Sequence, residues 1–156
     1  ILKIFAEVKK QRSDAKLLLV GAEEEPSLLS LAKKLEIEKD VLFLGQRRDV
    51  ADLLFAMDVF LFPSLREGLP VAAIEAQASG LPVLMASTIT REALVAPNAK
   101  MLSLEASPRE WANAAASAAL EARKDNYDIM KAAGWDIKER AARLAEYYRT
   151  GVFRDF

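Results

Sequence analysis

The sequence predicts a doubly wound α/β fold of the Rossmann-like kind, a parallel sheet covered by helices on both faces, and three observations predict it. Short apolar runs (Lys16–Val20, Val41–Leu44, Val59–Phe62 and Pro82–Ala86) alternate with segments of helical periodicity. The runs are apolar almost throughout, as strands buried on both faces are. The first two close on glycines, Gly21 and Gly45, and the third on Pro63.

In order, residues 1–12 read as an amphipathic helix, with Ile1, Ile4, Phe5 and Val8 on one stripe and Lys3, Glu7, Lys10 and Gln11 opposite. The strand Lys16–Val20 follows. Pro26 opens a helix over Ser27–Leu35, with Leu28, Leu31 and Leu35 aligned. After the strand Val41–Leu44, Asp49 suits the N-cap of a helix over Val50–Met57. The strand Val59–Phe62 leads into a loop from Pro63 to Leu69. Pro70 suits the first position of the helix Val71–Ser79, and Gly80 suits its stop. Beyond the strand Pro82–Ala86, a weaker strand is read at Lys100–Leu104. Ser107-Pro108 opens an Ala-rich helix through Arg123, and helices over Asn126–Ala133 and Asp136–Arg149 finish the chain.

The bulk composition narrows the chemistry. The 156 residues suit one domain, 1–156, and are 52% hydrophobic and 29% charged with a net charge of −1. The nearest thing to a basic patch is Gln46-Arg47-Arg48, too short for nucleic acid. With no cysteine and no histidine, disulfides, Cys/His zinc sites, cysteine nucleophiles and Ser-His triads are excluded. No apolar run reaches the roughly 20 residues of a membrane span, and none reads as a signal peptide. The chain starts at Ile1, inside a helix, and is expected to be a piece of a longer protein.

From Leu69 to Thr90 there is one charged residue, Glu75, on a helix whose other residues are almost all small or apolar; it is expected to be mostly buried and to face a cleft. Glu67 lies in the preceding loop, where Gly68 lets the backbone approach a ligand. The first-turn N–H groups of Val71, Ala72 and Ala73 favour an anion. Carboxylates suit sugar hydroxyls and the helix end suits phosphate, so the constellation describes a nucleotide sugar.

The stretch Pro63-Ser-Leu-Arg-Glu-Gly-Leu-Pro-Val-Ala-Ala-Ile-Glu-Ala-Gln-Ala-Ser-Gly-Leu-Pro-Val83 resembles the E-x7-E segment of retaining GT-B glycosyltransferases of family 4, of the capsular and exopolysaccharide type. The likeness extends to Leu17–Gly21, Val41–Gly45, Ala56–Asp58, Thr88–Glu92, Ser107–Trp111 and the closing helices. It implies that Glu67, the carboxylate of the catalytic centre, holds hydroxyls of the donor sugar, and that Glu75 holds the ribose. Backbone N–H groups of Gly68, Leu69 and Val71 then meet sugar and pyrophosphate, and Gly45, Gln46 and Arg47 line the base. The reaction implied retains anomeric configuration and uses no metal or other cofactor. The implied partners are the nucleotide-sugar donor and an N-terminal acceptor domain that this chain lacks. The implied location is cytoplasmic, or the inner face of the membrane in the longer enzyme.

Two departures accompany the resemblance. The Arg/Lys pair that neutralises pyrophosphate, and the first strand after which it falls, are absent ahead of Ile1; Lys3, Lys9 and Lys10 on their helix face are no substitute. The chain alone is therefore expected to transfer no sugar. With sheet order 3-2-1-4-5-6 the absent strand is central. Three outcomes are open: direct pairing of Lys16–Val20 with Val59–Phe62, a strand from a second molecule, or a first strand that belongs to the rest of a longer protein; direct pairing or a partner strand is expected over an open slot. A non-catalytic nucleotide-binding or protein-interaction module is the alternative reading; an epimerase is disfavoured by the lack of histidine. Trp111 and Trp135 read as core, Tyr147 and Tyr148 as packing of the last helix, and Gly21 as a strand-end turn.

Overall fold

The computed structural model describes residues 1–21 and 24–152. The elements run α1 (Leu2–Gln11), β1 (Leu17–Val20), α2 (Pro26–Lys34), β2 (Val41–Gly45), α3 (Val50–Ala56), β3 (Phe60–Phe62), α4 (Val71–Ala78), β4 (Val83–Ala86), β5 (Ala99–Leu102), α5 (Pro108–Ala118), α6 (Tyr127–Ala132) and α7 (Ile137–Thr150). Each strand expected from an apolar run is present, and the weaker one at Lys100–Leu104 forms as β5, shifted toward the N-terminus.

Local chemistry sets the starts of three helices. Pro26 opens α2 from its first position, and Ser107 with Glu110 forms a reciprocal capping box at α5. Asp136 accepts from the N–H groups of Lys138 and Glu139 at α7, at 2.8 and 3.1 Å. Three ends depart from expectation. Asp49 sits at the N-cap of α3 but makes no capping bond, because its carboxylate is taken by Arg47. Pro70 is the N-cap of α4, one position ahead of its expected place. Helix α5 stops at Ala118, short of Arg123. The Arg123 guanidinium instead donates to the carbonyls of Leu54, Phe55 and Met57 at the end of α3 and to Ser79 at the end of α4. It satisfies carbonyls that both helices leave open and lies over the Phe55 ring. These tertiary bonds override the helix propensity of the alanine run.

Two parallel sheets form, one with the order β1-β2 and one with the order β3-β4-β5. Leu17 pairs with Val41 and Leu19 with Phe43; Phe60 pairs with Val83, and Val83 with Ala99. Strand β4, flanked on both sides, is buried at all four residues. The sequence of strands matches the order 3-2 and 4-5-6 of a dinucleotide-binding sheet without its first strand. Expected direct closure does not occur: among the described residues β1 and β3 are not paired with each other, and each keeps one edge without a strand partner. Helix α1 bridges the two sheets. Ile4 packs into the core under β3, β4 and β5, whereas Leu2 and Phe5 pack into the core of β1 and β2, and Val8 touches both. The helix also packs along α5, where Gln11 donates to Asn113. Sliding the sheets together would displace a helix anchored in both.

Trp111 is buried and donates to the Ser103 carbonyl at 3.0 Å, and Trp135 packs beside Ile74, Ala96 and Met130, so both serve the core. Helix α7 buries none of its residues. Tyr147 and Tyr148 contact each other, and Tyr148 is 78% exposed, so Tyr148 does not pack this helix as expected. No helix of the described residues is long and apolar enough to cross a membrane.

Candidate functional site

The site is built on the step from β3 to α4. Beyond Phe62 the chain leaves the sheet and residues 65–69 are all exposed before Pro70 is buried again. The Ser64 hydroxyl donates to Glu67 Oε1 at 2.8 Å and lies 3.3 Å from the Arg66 carbonyl. A hydroxyl has one proton, and the shorter contact to a charged acceptor takes it. From the loop after β4, Thr88 Oγ1 donates to the Ser64 carbonyl at 2.8 Å. The loops that follow two neighbouring strands are thus tied together where ligands meet folds of this kind.

Gly68 is open. A Cβ placed there would meet nothing within 4 Å, and its φ is not left-handed, so the protein's own packing does not require glycine. In the first turn of α4 the Ala73 and Ile74 N–H groups donate to the Pro70 carbonyl, at 3.0 and 3.3 Å. This corrects one expectation: Ala73 is not a free donor, and the N–H groups turned toward the loop are those of Val71 and Ala72. Leu69 and Val71 are exposed around them, at 43% and 55%.

A larger correction concerns Glu75, which is exposed. Helix α4 buries Ala73, Ile74, Ala76 and Gln77, while Val71, Ala72, Glu75 and Ala78 lie on the exposed side. The apolar residues on its own side, Val71, Ala72 and Ala78, are themselves in the open. The buried polar group of this helix is Gln77, which is fully enclosed. Its amide donates to the carbonyls of Ala73 and Ala93, at 3.0 and 2.8 Å, and accepts from the N–H groups of Val95 and Ala96, both at 2.9 Å. Asn126 donates to the Gln77 carbonyl and to Asn98, which donates to Leu81. This network fixes α4 against the segment after β4. A polar residue on an otherwise apolar helix is the one sequence signal for it, and Glu75 carries the same signal. Nothing local signals the Thr88–Ser64 bond, which joins residues 24 apart.

The second predicted loop follows β2. Gly45 has φ +59 and its carbonyl accepts from the Gly21 N–H at 2.7 Å, so this pair closes the two strand ends together. Gln46 and Arg47 are exposed and, with Arg48, Asp49 and Asp52, line a shallow open depression. Arg47 is bound bidentately to Asp49, at 2.8 and 2.6 Å. That bond lowers the Asp49 pKa and raises that of Arg47. No hydrogen bond or ion pair joins this loop to Glu67 or Glu75 among the described residues. No group of three or more acidic side chains among them could hold a metal ion.

A parallel α/β domain with helices packed on its sheets and loops gathered beyond its strand ends is of the doubly wound class, a fold shared by many functions. Comparison with known proteins narrows this. Residues 1–121 match the family model of the group 1 glycosyl transferases, and the chain belongs to that family. It is 32% identical over 166 aligned positions to EpsF of Bacillus subtilis (strain 168), a protein whose name places it among the glycosyltransferases. That alignment covers 99% of this chain and 42% of EpsF, so the chain spans less than half of that relative. Among solved structures, sucrose-phosphate synthase from Thermosynechococcus elongatus superposes with a TM-score of 0.75 at 22% identity, over 95% of this chain and 41% of the synthase. The pneumococcal O-GlcNAc transferase GtfA, solved with UDP and GlcNAc, gives 0.71 at 16% identity, over 99% of this chain and 33% of GtfA. The fold is that of the C-terminal Rossmann-like domain of GT-B glycosyltransferases.

Proposed function

We propose that this chain is the donor-binding domain of a retaining glycosyltransferase, a single domain that binds a nucleoside diphosphate sugar in a longer two-domain enzyme. Glu67 and Glu75 are its E-x7-E pair, and the setting is bacterial capsule or exopolysaccharide assembly at the cytoplasmic side of the membrane. The observation that carries this reading is the placement of Glu67. Its exposed carboxylate lies just beyond β3, held by Ser64 and next in the chain to the first-turn N–H groups of Val71 and Ala72. An ionised carboxylate accepts from adjacent sugar hydroxyls, and unbonded N–H groups at a helix start favour a phosphate. The UDP and GlcNAc bound by the structural neighbour GtfA agree with this pairing of chemistries.

Exposure of Glu75 suits a group that waits for ribose hydroxyls better than one locked in the core. No metal takes part in the reading; pyrophosphate charge is met by backbone donors here and by Arg and Lys side chains of the longer enzyme. Transfer requires the acceptor to be held against the donor, and such positioning supplies about 7–11 kcal/mol of a barrier. The chain by itself is therefore expected to bind donor without transferring sugar. Titration with UDP, GDP and their sugars, followed by amide NMR shifts with and without a chelator, tests the reading. Saturable shifts in residues 64–75 that survive the chelator are expected. Shifts absent with every nucleotide, or dependent on a divalent cation, would overturn it.

A further inference from the structure

We propose that Ser64, braced by Thr88, is the residue that positions the Glu67 carboxylate for the donor sugar. The inference rests on the donor reading above and adds two residues to it. Every side-chain hydrogen bond that loop 63–69 makes among the described residues runs through Ser64: its hydroxyl holds Glu67 and its carbonyl accepts from Thr88. Residues 65–69 are otherwise exposed, and a loop with so few ties samples many conformations.

The residues on either side of Thr88 are tied to the rest of the domain. On one side of Thr88, the Ser87 N–H donates to the Leu102 carbonyl at 2.7 Å. On the other, Ile89 is buried in the main core and its N–H donates to the Ala86 carbonyl at 3.1 Å. Thr88 is itself exposed, in the turn after β4, with bonded neighbours on both sides. Its hydroxyl passes that order to the Ser64 backbone, and the Ser64 hydroxyl passes it to one Glu67 oxygen. The bond leaves Oε2, and a second lone pair on Oε1, to accept from sugar hydroxyls. Holding a carboxylate in one orientation before the ligand arrives removes an ordering cost from binding.

A purely structural role and a positioning role separate by ligand. The sugar end of the donor meets Glu67 and the nucleotide end does not, so loss of positioning weakens a nucleotide sugar and spares the bare nucleotide. The test measures binding to the full chain by calorimetry for UDP, GDP, UDP-glucose, UDP-galactose, UDP-N-acetylglucosamine and GDP-mannose. The variants are Ser64→Ala, Ser64→Thr, Thr88→Val, Glu67→Gln and the Ser64→Ala/Glu67→Gln double variant. For the sugar that binds, Ser64→Ala and Thr88→Val weaken affinity about 3- to 10-fold, the usual effect of one hydrogen bond. Affinity for UDP or GDP stays within about two-fold by the same measure. Ser64→Thr, which keeps the hydroxyl, retains binding, and Ser64→Ala adds nothing once Glu67 is changed. Amide relaxation without ligand shows residues 65–69 more mobile in Ser64→Ala. Equal weakening of nucleotide and nucleotide sugar by Ser64→Ala overturns the inference, as does a loss with Glu67→Gln but none with Ser64→Ala. If Glu67→Gln leaves every nucleotide sugar unaffected, or none binds, the donor reading falls and this inference falls with it.

Discussion

The two faces of helix α4 are nearly alike in composition and opposite in circumstance. One carries Ala73, Ile74, Ala76 and Gln77, all buried; the other carries Val71, Ala72, Glu75 and Ala78, all exposed. Each face has one polar residue among small or apolar ones. Gln77 and Glu75 are two positions apart, which at 3.6 residues per turn sets them on roughly opposite sides of the helix. The enclosed amide uses both of its donor hydrogens and both acceptor lone pairs within the protein. The carboxylate on the other side has no protein hydrogen bond among those described and remains available to a ligand. A polar residue on an apolar helix is thus a structural pin on one face and a candidate ligand contact on the other, and only the direction of the core tells which.

The largest expected effect lies on the buried face. Gln77→Leu keeps the volume but strands the N–H groups of Val95 and Ala96 and the Ala93 carbonyl in the interior. At about 1–3 kcal/mol for each unsatisfied group, partly relieved by relaxation, the loss should be about 3–5 kcal/mol. A thermal midpoint lower by roughly 6–20 °C is the expected measurement. A change below 1 °C would show that the two faces do not differ as described.

The intermediate effect lies on the open face and concerns binding alone. Glu75→Gln should weaken nucleoside diphosphate affinity by roughly 1–3 kcal/mol, the worth of a charge-assisted hydrogen bond, while stability stays within about 0.5 kcal/mol. Calorimetric titration beside a thermal melt reads both. A lowered melting point with unchanged affinity would place Glu75 in the structural class.

The smallest expected effect on the fold comes from Gly68→Ala. Its surroundings are empty and its φ is not left-handed, so stability should move by no more than about 0.5 kcal/mol. Gly80→Ala is the contrasting control: φ is +76 and the added Cβ would fall 2.2 Å from the Lys124 carbonyl oxygen. If Gly68→Ala is silent in a melt yet weakens binding of a nucleotide sugar, the demand for glycine comes from the ligand. If both melting and binding are unchanged, Gly68 has no part in close approach.

Much of the fold and part of the site could be read before the structure. The apolar runs gave the strands because a strand buried on both faces must be apolar throughout. Ser107-Pro108 and Pro26 gave helix starts because capping is local chemistry. Glu67 and Gly68 stood out through their spacing from Glu75. The Thr88–Ser64 tie and the reach of Arg123 to α3 could not be read, because each joins residues far apart in sequence. The exposure of Glu75 is hidden for a related reason: apolar neighbours reveal a helix that could be buried, without saying which side the sheet covers.

The sequence by itself determined the class of fold, the order of its elements and the identity of the loop that carries Glu67, since periodicity, proline and glycine act within a few residues. Tertiary structure decided that Gln77 and not Glu75 is enclosed, that α5 ends at Ala118, and that β1 and β3 stay unpaired beside a helix anchored in both cores. Those outcomes depend on which surfaces meet, and burial and hydrogen bonding between distant segments are settled only when the whole chain packs.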